Sequence, residues 1–205
     1  MGGARDFGPD VVLDNPAYVH PSATLHGRIR LAEGASVWAN TVIRAEVHDV
    51  DIGAFTNLQD FVMVHVDFGS GVRIGPYCSI THHAVVHGST IGANCLIGLN
   101  ATIMDGCVIG DNCIVGAGAL LREGTEVPAN SIAVGVPARI IGPRENFVAN
   151  RVNAFAYYRN ALAYAAGDHR VWASAEYAAA EAAERARLEA EHGSRVGPDV
   201  RAAPR

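Results

Sequence analysis

Residues 91–126 read IGANCL-IGLNAT-IMDGCV-IGDNCI-VGAGAL-LREGTE, and Val127 follows. Every block opens on an aliphatic side chain: Ile91, Ile97, Ile103, Ile109, Val115 and Leu121. The fifth place is always small: Cys95, Ala101, Cys107, Cys113, Ala119 and Thr125. Read backwards, the same rule gives Val86, Ile80, Ile74, Val64, Leu58, Ile52 and Ile43, then Val37, Leu31, Leu25 and Val19, for 18 openings between Val19 and Val127. A six-residue period is too short for a helix and its return, and glycine at second places disfavours helix. It suits one short strand and a corner, three of which close a triangular coil. Coils stacked about 4.8 Å apart satisfy one another's backbone groups as parallel strands do. Solenoids of this period turn left-handed, against the usual crossover preference. The expected fold is all-β, a left-handed parallel β-helix of hexapeptide repeats with a C-terminal α-helix. Its six coils would make a prism roughly 25–30 Å long.

Three places break the count. Nine residues separate Ile43 from Ile52, so Glu46–Asp51 holds a small insertion. Ten separate Val64 from Ile74, extruding a loop around Asp67–Gly71, and the Val86 block is one residue short. Interruptions of a regular solenoid tend to mark function. The β-helix is expected over residues 11–141. A helical segment is expected over 144–191, with Phe147, Phe155, Tyr158, Leu162 and Ala165 forming an apolar stripe. The stretch Trp172–Glu191 reads as a mostly solvated helix, and residues 192–205 as a disordered tail. Cys78, Cys95, Cys107 and Cys113 all take the small inward place, which makes them compact core fillers.

Composition narrows the partners. Apolar residues make up 49 % of the chain and charged residues 18 %, enough to bury a core. The net charge of -5, with no basic block, argues against nucleic acid. No apolar run is long enough to span a membrane and no signal-peptide core is present, so a cytoplasmic location and no membrane partner are expected.

Counting faces brings the histidines together. With the triangle's faces labelled A, B and C, the openers Ile43, Val64 and Val86 fall on face A. Arg44, His65 and His87 follow them, point outward and form one column. Stacked His65 and His87 are about 5 Å apart, close enough to share a metal at ~2 Å from each nitrogen. His82 is third in a face C block and leaves from another side of the prism, so a neighbouring chain's His82 is the natural third ligand. This predicts a homotrimer with metal sites at subunit interfaces, the metal being zinc with one open position. Asp60, one coil below His82, is expected to meet Arg44 across that interface. His20, His26, His48, His169 and His192 read as surface residues; His83 stays open between supporting a ligand and standing by.

These residues resemble the γ-class carbonic anhydrase family. Arg44-Ala45-Glu46, Asn57-Leu58-Gln59-Asp60, His65 and Thr81-His82-His83-Ala84-Val85-Val86-His87-Gly88 are similar to its motifs in order and spacing, over roughly residues 11–165. The resemblance implies a homotrimer carrying Zn2+, or Fe2+ in the cell, on His65, His82 and His87. It implies that Gln59 holds the metal-bound hydroxide, that Arg44 and Asp60 pair between subunits, and that Glu46 is the acidic catalytic group. Asn100, Tyr157 and Asn160 are its candidates for the pocket. The implied activity is that of a carbonate dehydratase, a lyase in which metal-bound hydroxide attacks CO2 to give bicarbonate. Two departures stand out: the family usually has Arg-Gly-Asp where this chain has Arg44-Ala45-Glu46, and the 67–71 loop carries a single carboxylate.

Other functions compete. The stretch 99–106 is similar to a branch of the family that implies acyl-CoA thioester hydrolysis at the same metal. A non-catalytic metal-binding trimeric scaffold is a third reading. A hexapeptide acyltransferase would share the fold and the Gly135-Val136-Pro137-Ala138 ending, but would need one general-base histidine rather than three at metal spacing.

Overall fold

A computed structural model describes residues 7–195. It is a left-handed parallel β-helix followed by two helices, α1 (Phe147–Ala165) and α2 (Ala175–Arg195). The pairing confirms the face count. Leu25, Ile43, Val64, Val86, Ile103 and Leu121 stack on face A. Val19, Val37, Leu58, Ile80, Ile97 and Val115 stack on face C. The stack gains one rung at each end over the repeat read in sequence: Leu13 pairs below Leu31, and Ala133 pairs above Val115. Faces A and B belong to a single 11-stranded sheet, because the strands Thr24–Leu31 and Val42–Ile52 run unbroken across the corner between them.

The aliphatic openers fill the prism, and those from Leu25 to Leu121 are at most 3 % exposed. The small fifth place faces the same core where the coil bends. The four cysteines are free and buried there. Each thiol donates to a carbonyl of the next coil: Cys78 to Gly92, Cys95 to Gly110, Cys107 to Arg122 and Cys113 to Pro128, at 3.0–3.1 Å. Burial pushes the Cys107 thiol above its ordinary pKa.

Corners between faces C and A take the left-handed backbone conformation. Asn40, Phe61, His83 and Asn100 have φ of 57°, 62°, 61° and 57°. Asparagine and histidine tolerate this region; phenylalanine does not favour it. The Phe61 and His83 rings compensate by stacking 4.8 Å apart and 2° from parallel.

At the C-terminal end the repeat turns back on itself. The strand Ser131–Val134 pairs antiparallel with Arg139–Pro143, and the chain then enters α1. The helix lies across face C, and of the expected stripe Phe147 is buried, Phe155 and Tyr158 are half-buried, and Leu162 and Ala165 are exposed. It buries Phe147, Asn150, Val152, Ala154, Asn160 and Ala161, while Leu162 is 44 % exposed. The reason is polar. Solenoid corners offer carbonyls that need donors, and Asn150 Nδ2 supplies them to Asn94 O (2.9 Å) and Cys113 O (3.2 Å). Asn94 Nδ2 returns a bond to Phe147 O at 3.1 Å. Helix α2 packs Leu188 against Phe147 and Val152 and exposes a ladder of Arg185, Arg187, Glu181, Glu184 and Glu191, as its composition suggests. It continues through Arg195, past the expected end at residue 191; residues 196–205 of the expected tail lie outside the described residues.

Two outcomes follow for denaturation in urea. Ile97→Ala leaves a cavity in the prism and lowers unfolding free energy by about 2–5 kcal/mol. Asn150→Ala strands corner carbonyls and lowers it by about 1–3 kcal/mol. A thiol-reactive chromophore at pH 8 should label none of the four cysteines in the folded protein and all four after unfolding.

Candidate functional site

Register alone puts three outward side chains in one column: Arg44 pairs with His65, and His65 with His87. The contacts between them form a continuous line. Arg44 Nη2 lies 2.9 Å from His65 Nε2, and His65 Nδ1 lies 2.8 Å from His87 Nε2. His87 Nδ1 meets Asp105 Oδ1. A guanidinium can only donate and a carboxylate can only accept. The Asp105 end of the line is therefore ordered: His87 Nδ1–H donates to Asp105, and His87 Nε2 can accept from His65 Nδ1–H. Glu46 closes on the same end, 3.5 Å from Arg44 and 3.2 Å from His65 Nε2. Its carboxyl sits below its usual pKa, first through a backbone hydrogen bond and then through the Arg44 and His65 charges.

The two interruptions of the repeat flank this column. A cavity of about 330 Å3 is bounded by Glu46 and Val47 of the first insertion, His65, Val66, Asp67 and Phe68 of the second, and His87. Phe68 is 90 % exposed at the tip of a loop held by Asp67 N–H to Ser70 O (2.9 Å) and His48 Nε2–H to Phe68 O (3.0 Å).

His82 occupies a separate place, on the C–A corner beneath α1. Its Nδ1 is 3.0 Å from Asp60 Oδ2, and Tyr157 Oη is 3.3 Å from its Nε2. Burial, followed by the Asp60 charge, pushes the Tyr157 phenol up to about 12, so it stays protonated and donates to Nε2. Hence His82 and His87 each carry a carboxylate on Nδ1 and face a donor with Nε2, whereas His65 Nε2 lies between Arg44 and Glu46. Trp38 and Trp172 flank Tyr157 edge-on and hold its ring in place, and Tyr164 packs edge-on against Trp38 in turn. Beneath α1, buried Gln59 donates to Asn57 Oδ1 (3.0 Å), and Asn57 to Ser79 Oγ (2.9 Å).

The structure thus brings together Arg44, Glu46, His65 and His87 on one side, and Asp60, His82 and Tyr157 on the other. Among the described residues, no three His, Cys, Asp or Glu of one chain converge where they could hold a metal. Within the chain Asp60 engages His82, and Arg44 engages Glu46 and His65, so their expected pairing with each other is not an intrachain contact. Asn100 touches the site only through its backbone N–H, which donates to His82 O at 3.1 Å; Asn160 is buried on α1. Asp105 went unread in the sequence. Its signal was the short Val86 block, since the pairing of Val86 with Ile103 carries residue 105 up to His87.

A solenoid of such coils is the architecture of the hexapeptide-repeat proteins. The model "Bacterial transferase hexapeptide (six repeats)" matches residues 88–123. The solved structure of a hexapeptide transferase family protein from Anaplasma phagocytophilum superposes with a TM-score of 0.72 at 27 % identity, over 75 % of this chain and 92 % of that one. A Methanocaldococcus jannaschii protein named "Probable carbonic anhydrase" is 53 % identical over 119 residues, 58 % of this chain and 75 % of that protein. The mitochondrial "Gamma carbonic anhydrase 1" of Arabidopsis thaliana is 32 % identical over 136 residues, 63 % of this chain and half of the plant protein's length. The chain belongs to the γ-class carbonic anhydrase family.

Among the described residues, no helix is long and apolar enough to cross a membrane. The buried phenols set an alkaline limit. An unfolded tyrosine loses its proton near pH 10, whereas Tyr157 and Tyr177 hold theirs to about 12. The folded state therefore binds more protons above pH 10, and stability falls as pH rises from 10 towards 12. Tyr157→Phe should shrink that fall by on the order of 1 kcal/mol in urea unfolding measured across this range.

Proposed function

We propose that this chain is a metal-dependent carbonic anhydrase that interconverts CO2 and bicarbonate as a homotrimer. Its divalent metal, Zn2+ or Fe2+, would be held by His65 and His87 of one subunit and His82 of the next. The observation that carries the reading is the split donor set: two stacked imidazoles on face A, and a third, backed by Asp60, on a corner they do not share. The donors suit such an ion. All are half-buried imidazoles, and His87 and His82 each have a carboxylate on Nδ1, which leaves Nε2 to face an ion.

The chemistry a bound divalent cation supplies is Lewis acidity, which makes water a nucleophile at neutral pH. The rest falls to the chain. Buried Gln59 keeps its carbonyl oxygen for an attacking water, because its amide is committed to Asn57. Glu46, beside His65 and held ionised, is placed to take the proton released on attack and pass it to solvent through its exposed side. Val47, Val66 and Phe68 give CO2 an apolar approach, and Arg44 offers a cation to departing bicarbonate. The family relation supports this reading over acyl transfer, which the fold alone would also permit. Thioester hydrolysis remains the second reading, favoured only by the stretch 99–106.

Purified protein should run as a trimer with one metal ion per subunit, and His82→Ala should abolish both metal retention and CO2 hydration in stopped flow. A mixing experiment tests the shared site. His65→Ala and His82→Ala chains, each inactive alone, should regain about a quarter of wild-type sites when refolded together at equal amounts, since every mixed trimer rebuilds one interface. A mixture as inactive as its components, from chains that do co-assemble, overturns the reading.

A further inference from the structure

We infer that Asp105 is a positioning residue: its carboxylate fixes the tautomer of His87. The inference rests on the metal site proposed above for its purpose, but its geometry is independent of any ion.

Asp105 Oδ1 meets His87 Nδ1, with both side chains 30 % exposed. The backbone makes the contact specific. Gly106 N–H donates to Gly88 O at 2.9 Å, pinning the Asp105–Gly106 corner to the peptide that follows His87. Gly88 leaves the necessary space, because a Cβ there would lie 2.7 Å from Asp105 Oδ1 and 2.8 Å from Ser70 Oγ. Ser70 in turn donates to Gly88 O at 2.9 Å, holding that peptide from the loop side. Deleting one residue from the Val86 block thus draws the corner of one coil against the histidine of the coil below.

A carboxylate that only accepts places the His87 proton on Nδ1 and leaves a lone pair on Nε2. In the absence of an ion that nitrogen accepts from His65 Nδ1–H, while His65 Nε2 lies between Arg44 and Glu46. Without Asp105, His87 is free to place its proton on Nε2, the nitrogen a metal needs.

The test compares wild-type protein with Asp105→Asn and Asp105→Glu, all of equal solution mass and melting temperature. Zn2+ affinity, measured against a chromophoric chelator, should weaken about 10–100-fold in Asp105→Asn and recover in part in Asp105→Glu. Nitrogen-15 spectra of the metal-free protein should show His87 protonated on Nδ1 in wild type and shifted towards Nε2 in Asp105→Asn. Affinity within about twofold of wild type for Asp105→Asn, or an Nε2-protonated His87 in wild type, overturns the inference. If wild type takes up no Zn2+, the metal reading fails, and the tautomer spectra still decide the role of Asp105.

Discussion

Backbone hydrogen bonding between coils is the constraint from which everything else here descends. Each coil reads its register from the one below, so an outward side chain on one rung sits above its counterpart at strand spacing. That is why Arg44, His65 and His87, 21 and 22 residues apart in sequence, touch in a line. No loop had to fold around them. Rigid strands hold these groups, and the irregular segments at Glu46–Asp51 and Asp67–Gly71 merely wall the space beside them.

The same constraint explains how the molecule confines its polar chemistry. Inward places are aliphatic or small along the whole prism, so ionisable groups are left to the outside of the coils and the corners. Helix α1 then converts part of that outside into an interior. Under it, Asn57, Gln59, Ser79 and Thr81 are buried yet hydrogen-bonded, and Tyr157 is brought down on His82. Asparagine side chains, rather than an apolar stripe, tie the helix down, since corner carbonyls are what face C presents to it.

A strict period made the fold, the face of every opener and the His65–His87 column legible in the sequence, because period two within a strand and six along the chain leave no freedom once one opener is placed. Legibility ended where the period ended. The stripe assigned to α1 missed Asn150 because helix amphipathicity measures apolar character, whereas docking here runs through amides. Asp105 was not legible because the short Val86 block shifts its corner against His87 out of the strict period, and the capping hairpin was not, because Arg139–Pro143 has no repeat to announce it. The partners that Arg44 and Asp60 take within one chain depend on which carboxylate or imidazole lies within a few ångströms, which spacing does not specify.

The hairpin has a further consequence. A stack of parallel rungs is in principle endless, since its last coil offers the same hydrogen-bonding edge as every coil before it. Here the strand Arg139–Pro143 runs opposite to all its predecessors on face C and ends on a residue with no N–H to give. The face is thereby closed to another in-register rung, from this chain or a stranger. Face C, at least, offers no parallel template along the prism axis at that end.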